Sequence, residues 1–157
     1  MSRFRKVDLE KYQTPSRFLK FFEGENRIRV LTEPYLYEVV GKQTANGYSQ
    51  HIIGDGQDIP EFLRDVRPKT TWGFVVYSHD TGHFHIVATG PRLGDPLTKL
   101  LQKKAPEEYK AHDIIIHKTG ERLKSKYKVE YASKSQAMPK DATRDNPEYM
   151  VMLSYFF

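Results

Sequence analysis

The stretch KTTWGFVVYSHDTGHFHIVAT, from Lys69 to Thr89, decides the fold that the whole sequence predicts. Two runs rich in aromatic and β-branched residues, Thr70 to Ser78 and His83 to Thr89, flank a turn-forming tetrad. This pattern is typical of a β-hairpin. The same stretch contains the only tryptophan and three of the six histidines of the chain. We therefore expect a hairpin whose surface binds a ligand.

Length, charge and cysteine content restrict the class of protein. With 157 residues, the chain is long enough for one domain with a real core. A formal net charge of +5 with 13% aromatic residues modestly favours a polyanionic partner on which aromatic rings can stack. The absence of cysteine excludes disulfides and thiol catalysis. No apolar run is long enough to span a membrane, so we expect a soluble, cytoplasmic protein without a membrane partner.

The segment before the central hairpin predicts a bent first strand and a long loop. Between Arg27 and Lys42, Ile28 and Val30 alternate with two arginines, which is the period of a half-buried strand. Pro34 must break the ladder within this strand. A connection rich in glycine and proline then runs from Gly41 to Pro68, and its Asn46-Gly47 pair leaves open a small hairpin there.

The segment after the central hairpin predicts one helix and a second hairpin. Asp95 as N-cap and Pro96 at the first helical position precede three core-facing leucines, Leu97, Leu100 and Leu101. The second hairpin is predicted from His112 to Lys118 and from Lys126 to Ala132, around a turn that contains Gly120.

The two ends of the chain are expected to lie outside the folded domain. We divide the chain into an N-terminal arm rich in basic and aromatic residues (1–20), a domain (21–132), a linker (133–147) and an apolar segment (148–157). That last segment, EYMVMLSYFF, is too apolar to remain solvated. It is expected to dock on this domain, on a partner or on a second copy, which would be self-association.

The order of these elements predicts the fold class. Five strands with one helix between the third and the fourth, and a long loop between the first and the second, is the order of the OB-fold barrel. In that fold, the face of strands 2 and 3 and the loops 1–2 and 4–5 bind oligonucleotides or oligosaccharides. The expected class is therefore mainly β, a five-stranded OB-fold; an SH3-like or other small α+β roll remains the alternative.

Several pieces of the sequence together resemble a known family. FLKFFEGENRIRVL, K-x-x-W-x-F-V-V-Y, a short Leu-rich helix and HDIIIHKTG-x-x-L-x-x-x-Y-x-V are similar, in this order over about residues 18–131, to single-stranded DNA-binding proteins of tailed bacteriophages. The resemblance implies an OB-fold, a viral role in DNA replication or recombination in the host cytoplasm, and replication or recombination proteins as partners. The chain departs from the family in lacking its acidic tail and the zinc-binding cysteines of some members.

Binding a single strand without sequence preference requires cations along the phosphates and aromatic faces for the bases, at about 1–3 kcal/mol per base. The predicted phosphate contacts are Arg27, Arg29, Lys42, Lys69, Lys118, Lys126 and Lys128. The predicted stacking residues are Tyr37, Tyr48, Trp72 and Tyr77, with Trp72 left open between core and ligand. Since only one face of strand 2 is expected to be core, we place His83 and His85 on the polar face beside Tyr77.

Two arrangements would suit an enzyme instead. His83 and His85, with His79 and Asp80, resemble part of a metal site, but no further ligands accompany them. The motifs His79-Asp80-Thr81 and His117-Lys118-Thr119 fit a pattern of paired His-x-Thr phosphoesterases, yet both fall at hairpin turns. We therefore predict no catalytic residue, metal or cofactor. An RNA-binding or replisome adaptor module is the first alternative, and a small metal-dependent phosphoesterase is the remote one.

Overall fold

One antiparallel sheet of seven strands organises the protein, in a computed structural model that describes residues 17–53, 58–121, 124–139 and 146–156. The strands are β1 Gly24–Val30, β2 Tyr35–Thr44, β3 Gly47–Ile52, β4 Lys69–Ser78, β5 His83–Thr89, β6 Ile114–Thr119 and β7 Lys126–Tyr131. The helices are α1 Pro91–Leu101, α2 Pro106–Tyr109 and α3 Pro147–Leu153, with 3-10 turns at Glu61–Leu63 and Ser154–Phe156. The mainly β class is confirmed. Most of the predicted arm (1–16) and part of the predicted linker (140–145) lie outside the described residues.

The predicted central hairpin is confirmed and lies at the middle of the sheet. β5 pairs with β4 over its whole length, from Thr89 opposite Trp72 to His83 opposite Ser78. The other edge of β4 is shared by two strands, because β2 pairs with its first half and β1 with its last three residues. Every other part of the sheet is therefore attached to β4, directly or through a neighbour.

The predicted first strand is divided into two, as Pro34 required. Between β1 and β2 the chain leaves the ladder, and the Val75 N–H donates to the Thr32 hydroxyl at 3.0 Å instead of to a backbone carbonyl. The chain then turns after Thr44, where Gly47 has a φ of +113°, and β3 pairs back onto β2. The expectation of five strands is wrong for these two reasons, a break at proline and a hairpin inside the long loop.

The expected barrel does not close. The strand order is β3-β2-β4-β1-β6-β7, with β5 paired to β4, so the sheet is open. The outer edge of β5 is bonded instead to the segment that precedes β1: the Ile86 N–H donates to the Arg17 carbonyl at 2.8 Å, and the Leu19 N–H donates to the Ile86 carbonyl at 2.9 Å. A short parallel segment thus bonds to backbone groups at the edge of β5, which would pair with another strand in a closed barrel.

The predicted helix exists but begins earlier than Asp95. Its first residue is Pro91, and the Gly94 N–H donates to the Gly90 carbonyl at 2.9 Å. Proline suits the first helical position because its missing N–H has no partner there in any case. Pro96 therefore lies inside the helix, and Asp95 forms an ion pair with Lys99 at 3.0 Å instead of capping.

The core lies between this helix and one face of the sheet. Leu97, Leu100 and Leu101 are buried as predicted, and Leu93 is buried with them. They pack on the side that we call the inner face, formed by the buried side chains of Ile28, Val30, Phe74, Val76, Val87, Ile114 and Ile116. The second hairpin is also confirmed, with Thr119 opposite Lys126 at its turn.

Candidate nucleic-acid interface

The strand registers divide the thirteen predicted binding residues between the two faces of the sheet, because directly opposed residues share a face. Eight lie on the side opposite the core, which we call the outer face: Arg27, Arg29, Tyr37, Tyr48, Lys69, Tyr77, Lys126 and Lys128. The other five have the parity of the inner face: Lys42, Trp72, His83, His85 and Lys118. Five of these eight residues come from the first and the last strand that the sequence predicted, which correspond to β1 with β2 and to β7 in the structure.

The expectation that His83 and His85 lie beside Tyr77 is wrong. His85 is opposite Val76 and His83 is opposite Ser78, whereas Tyr77 is opposite Phe84. His85 is buried, and its Nε2 lies 2.7 Å from the Thr81 hydroxyl. The prediction failed because the four-residue turn fixes this register, and alternation within each strand alone does not show which residues oppose each other.

Trp72 and Lys118 belong to the inner side. The half-buried Trp72 ring packs against the core and lies so close to α1 that a Cβ at Gly94 would be 2.5 Å from its ring atoms. This position favours the core role that the sequence left open. Lys118 donates from Nζ to the Phe21 carbonyl at 3.1 Å, so one donor of its ammonium group is bonded within the protein.

The centre of the outer face is an aromatic surface. Tyr77 and Phe84 contact each other edge to face, with ring centroids 5.2 Å apart, and the registers place Tyr35 and Tyr37 on the same side along β2. Sequence reasoning missed Tyr35, although it alternates with Tyr37, and it missed Phe84 because the face of β5 was misassigned. We call these four residues the aromatic floor.

The C-terminal part of the chain covers the aromatic floor. Residues 146–156, which we call the tail segment, form α3 and a 3-10 turn. Tyr149 contacts Phe84 with centroids 5.9 Å apart, and Phe156 stacks on Tyr35 at 4.7 Å with an angle of 28° between the rings. Both faces of β4 are therefore buried, contrary to the expectation that only one could be core. The structure places the apolar segment on this domain, as a helix.

Glycine in β4 makes room for the end of the tail segment. A Cβ at Gly73 would lie 2.4 Å from the Phe156 ring and 3.0 Å from Tyr37, so no larger residue fits without displacing a ring. Burial, and then the neighbouring Tyr155, raise the pKa of the Tyr37 hydroxyl above its ordinary value. The floor at this end is thus a tightly occupied aromatic cluster.

A buried carboxylate holds the two arginines of β1. Asp113 is fully buried, and its oxygens accept from Arg27 at 2.9 Å and from Arg29 at 2.8 Å. His79 Nε2 lies 2.9 Å from the same carboxylate. Burial opposes ionisation of Asp113, but the Gln136 N–H, the two arginines and His79 together outweigh it and hold the pKa at about 2. Asp113 was missed because nothing in the sequence singles out one acid before β6.

The same arginines fasten the chain that leaves β7. Arg27 donates to the Lys134 carbonyl at 2.9 Å, and Arg29 donates to the Gln136 carbonyl at 2.8 Å. The Gln136 N–H returns to Asp113 at 2.7 Å. We call residues 134–136 the strap. Arg27 and Arg29, predicted as phosphate contacts, are therefore engaged by an internal carboxylate and by the strap.

Two open grooves lie at hairpins on either side of the covered floor. One, of about 750 Å³, lies at the β2–β3 hairpin and is lined by Lys42, Tyr48 and the exposed Phe62 among others. The other, of about 370 Å³, lies along β6 and β7 and is lined by Lys126, Tyr127 and Lys128 among others. Each groove combines a lysine with an aromatic ring, and Phe62 is a lining residue that the sequence did not indicate.

The histidines of the two His-x-Thr motifs bind different carboxylates. His79 contacts Asp113, whereas His117 Nε2 lies 2.8 Å from Glu130. Within the described ranges, no three His, Asp or Glu side chains are grouped so that they could hold a metal ion. None of the helices in those ranges is both long and apolar enough to cross a membrane.

No protein-family model matches the chain, and no curated protein is significantly similar to it.

Proposed function

We propose that the protein binds single-stranded DNA without sequence preference and without catalysis, and acts in phage DNA replication or recombination in the host cytoplasm. The observation that carries the proposal is the aromatic floor of the outer face together with the two hairpin grooves, each of which is lined by lysine and an aromatic ring. Cations along the backbone and aromatic platforms for the bases are the two requirements for binding a single strand.

We further propose that the sheet is an opened, elaborated OB-fold. β1 and β2 together correspond to strand 1 of that fold, β4 and β5 to strands 2 and 3, and β6 and β7 to strands 4 and 5. The order of pairing, with β1, the first half of the divided strand, between β4 and β6, and the position of α1 between β5 and β6 both support this correspondence. The aromatic floor then occupies the strand 2–3 face and the two grooves occupy loops 1–2 and 4–5, which are the ligand-binding parts of OB-folds.

The contact between Phe156 and Tyr35 gives a second kind of support. Their rings stack at 4.7 Å, so the floor accommodates a planar aromatic group in the geometry that a base requires.

A salt titration tests the proposal. Binding of a labelled thymidine oligomer, followed by fluorescence anisotropy, is expected to weaken with salt, with a log–log slope of about −0.7 for each phosphate neutralised. A slope near zero would show that the affinity is not electrostatic and would overturn the proposal. Competition with unlabelled RNA of equal length measures the preference for DNA over RNA.

Paired lysine variants locate the contact. Lys126 and Lys128 are exposed on the outer face, so changing both to alanine should reduce the slope by about 0.7 for each lysine that contacts a phosphate. Lys103→Ala is the matched control, because Lys103 is exposed just beyond the end of α1, the helix that packs on the inner face. Equal slopes for the double variant and the control would exclude the β6–β7 groove from the interface.

A further inference from the structure

Strand β3 lies at one end of the sheet, and none of the described strands pairs with its outer edge. We propose that this edge pairs with β3 of a second copy of the chain, antiparallel about a two-fold axis, so that the protein dimerises through its sheet. The contact forms with or without DNA. Three features of β3 favour it: the direction of its backbone groups, its side chains and the contrast with the other edges of the sheet.

The backbone groups of every second β3 residue point to the outer edge. In an antiparallel ladder, successive residues bond alternately to one side of the strand and to the other. The Ile53 N–H, just after β3, donates to the Glu38 carbonyl of β2 at 2.9 Å. Residues at odd positions therefore bond toward β2, and Tyr48, Gln50 and Ile52 direct their N–H and C=O groups away from it.

One antiparallel register pairs all of these groups. If Gln50 lies on the two-fold axis opposite Gln50 of the second copy, Tyr48 of each copy lies opposite Ile52 of the other. Each of the three residues then donates one hydrogen bond and accepts one. All three lie on the outer face, so the outer faces of the two copies continue each other, whereas a shift by one residue would oppose outer to inner side chains.

The side chains along β3 permit this approach. The strand contains no lysine, arginine, acid or proline, which are the residues that natural edge strands use against pairing. The Tyr48 ring leans over β2 and away from the edge, because a Cβ at Gly41 would clash with its hydroxyl. Lys42 lies on β2, opposite Ser49. Three strand spacings, about 14 Å, would separate the two copies of Lys42, which is more than the screening length at physiological salt.

The other two edges of the sheet are protected in ways that β3 is not. The edge of β5 is bonded to Arg17 and Leu19 of the same chain. At the opposite end of the sheet from β3, β7 carries the exposed charges of Lys126, Lys128 and Glu130. Among the described edges, that of β3 has neither a covering segment nor a charge.

Sedimentation velocity of the DNA-free protein over a range of concentrations tests the pairing. One strand from each copy makes a small interface, so a reversible dimer is expected with a Kd between about 1 µM and 1 mM. A protein that stays monomeric up to about 1 mM would overturn the proposal. It would leave the proposed function untouched, because DNA takes no part in the measurement.

Gln50→Pro separates pairing of the strand from other contacts. Proline removes the N–H that points to the outer edge and leaves the bonds to β2 in place. Loss of the two symmetric hydrogen bonds should raise the dimer Kd at least about tenfold, with an unchanged circular dichroism spectrum. Gln50→Ala is the matched control: it keeps the N–H and should dimerise like the wild type. An equal Kd for the proline variant and this control would contradict the pairing.

Cross-linking tests the register, in a chain that contains no cysteine of its own. In Gln50→Cys the two thiols face each other at the axis, with Cα atoms about 5.5 Å apart, a distance that a disulfide spans. Gln43→Cys is the control, because this exposed outer-face residue lies on β2, away from the axis. Oxidation should yield the covalent dimer of Gln50→Cys at least about tenfold faster. Equal rates would overturn the β3 pairing even in a protein that dimerises elsewhere.

Discussion

The inner and outer faces of β4 are both buried, but different parts of the chain bury them. Phe74 and Val76 pack under α1 in a continuous core of aliphatic side chains. On the opposite side, Phe84, whose ring contacts Tyr77, is covered by aromatic and acidic residues of the tail segment. The inner cover is a helix between paired strands, whereas the outer cover is the last element of the chain.

The two faces therefore differ in how firmly their covers are held. A core that is closed by elements within the sheet cannot open without unfolding the domain. The tail segment contributes no strand to the sheet, and none of the residues of its helix and turn is buried, so its loss should disturb the sheet less. The outer face is therefore closed less firmly than the inner face.

The largest expected effect is the contrast between truncations on the two faces. Phe74→Ala should lower the free energy of unfolding by about 3–5 kcal/mol, because it leaves a cavity in a closed core. Phe156→Ala should lower it by only about 1 kcal/mol, the value of an aromatic contact at a partly exposed site. Urea unfolding followed by circular dichroism measures both variants. Equal losses would mean that the outer cover is as integral to the fold as the core.

Lowering the pH should weaken the attachment of the strap. The expected loss in the free energy of unfolding lies between the losses for the two truncations. The pKa of Asp113 is lowered from 3.8 to about 2, so its contribution to stability is present above pH 3.8 and is lost as the pH falls toward 2. The loss amounts to about 2 kcal/mol for this one group. Unfolding by urea at a series of pH values measures it.

The control for this pH dependence is Asp113→Asn. Asparagine does not ionise, so the variant should be less stable than the wild type at neutral pH and should lose about 2 kcal/mol less between pH 4 and pH 2. Parallel curves for the two proteins would show that other carboxylates cause the acid sensitivity.

The sequence predicted the parts of the fold that local patterns encode. Both hairpins, the break at Pro34 and the leucine face of α1 follow from alternation, turn residues and helical spacing. The open sheet could not be predicted in this way, because it depends on Arg17 and Leu19 bonding to Ile86, a contact between distant parts of the chain.

In the candidate site, too, local patterns predicted some of the residues, whereas contacts between distant parts of the chain determine the rest. Alternation along the last strand separated Lys126 and Lys128 from the core residues, and the registers put both lysines, with Tyr37, on the outer face. The engagement of Arg27 and Arg29 depends on Asp113, a single buried acid just before β6, for which the sequence contains no periodic signal. For the cover over the aromatic floor, the sequence predicted only an apolar segment and did not indicate the surface on which it packs.

The smallest expected effect concerns Trp72, the only tryptophan, which lies on the inner face against Gly94. If the outer face binds DNA, a saturating thymidine oligomer should leave the Trp72 emission almost unchanged, because no base reaches its ring. Tyr37→Trp in a Trp72→Phe background provides the comparison, since a tryptophan on the aromatic floor should be quenched when bases stack on it. Strong quenching of Trp72 in the wild type together with an unchanged signal from the floor tryptophan would reverse the assignment and place the strand on the α1 side of β4.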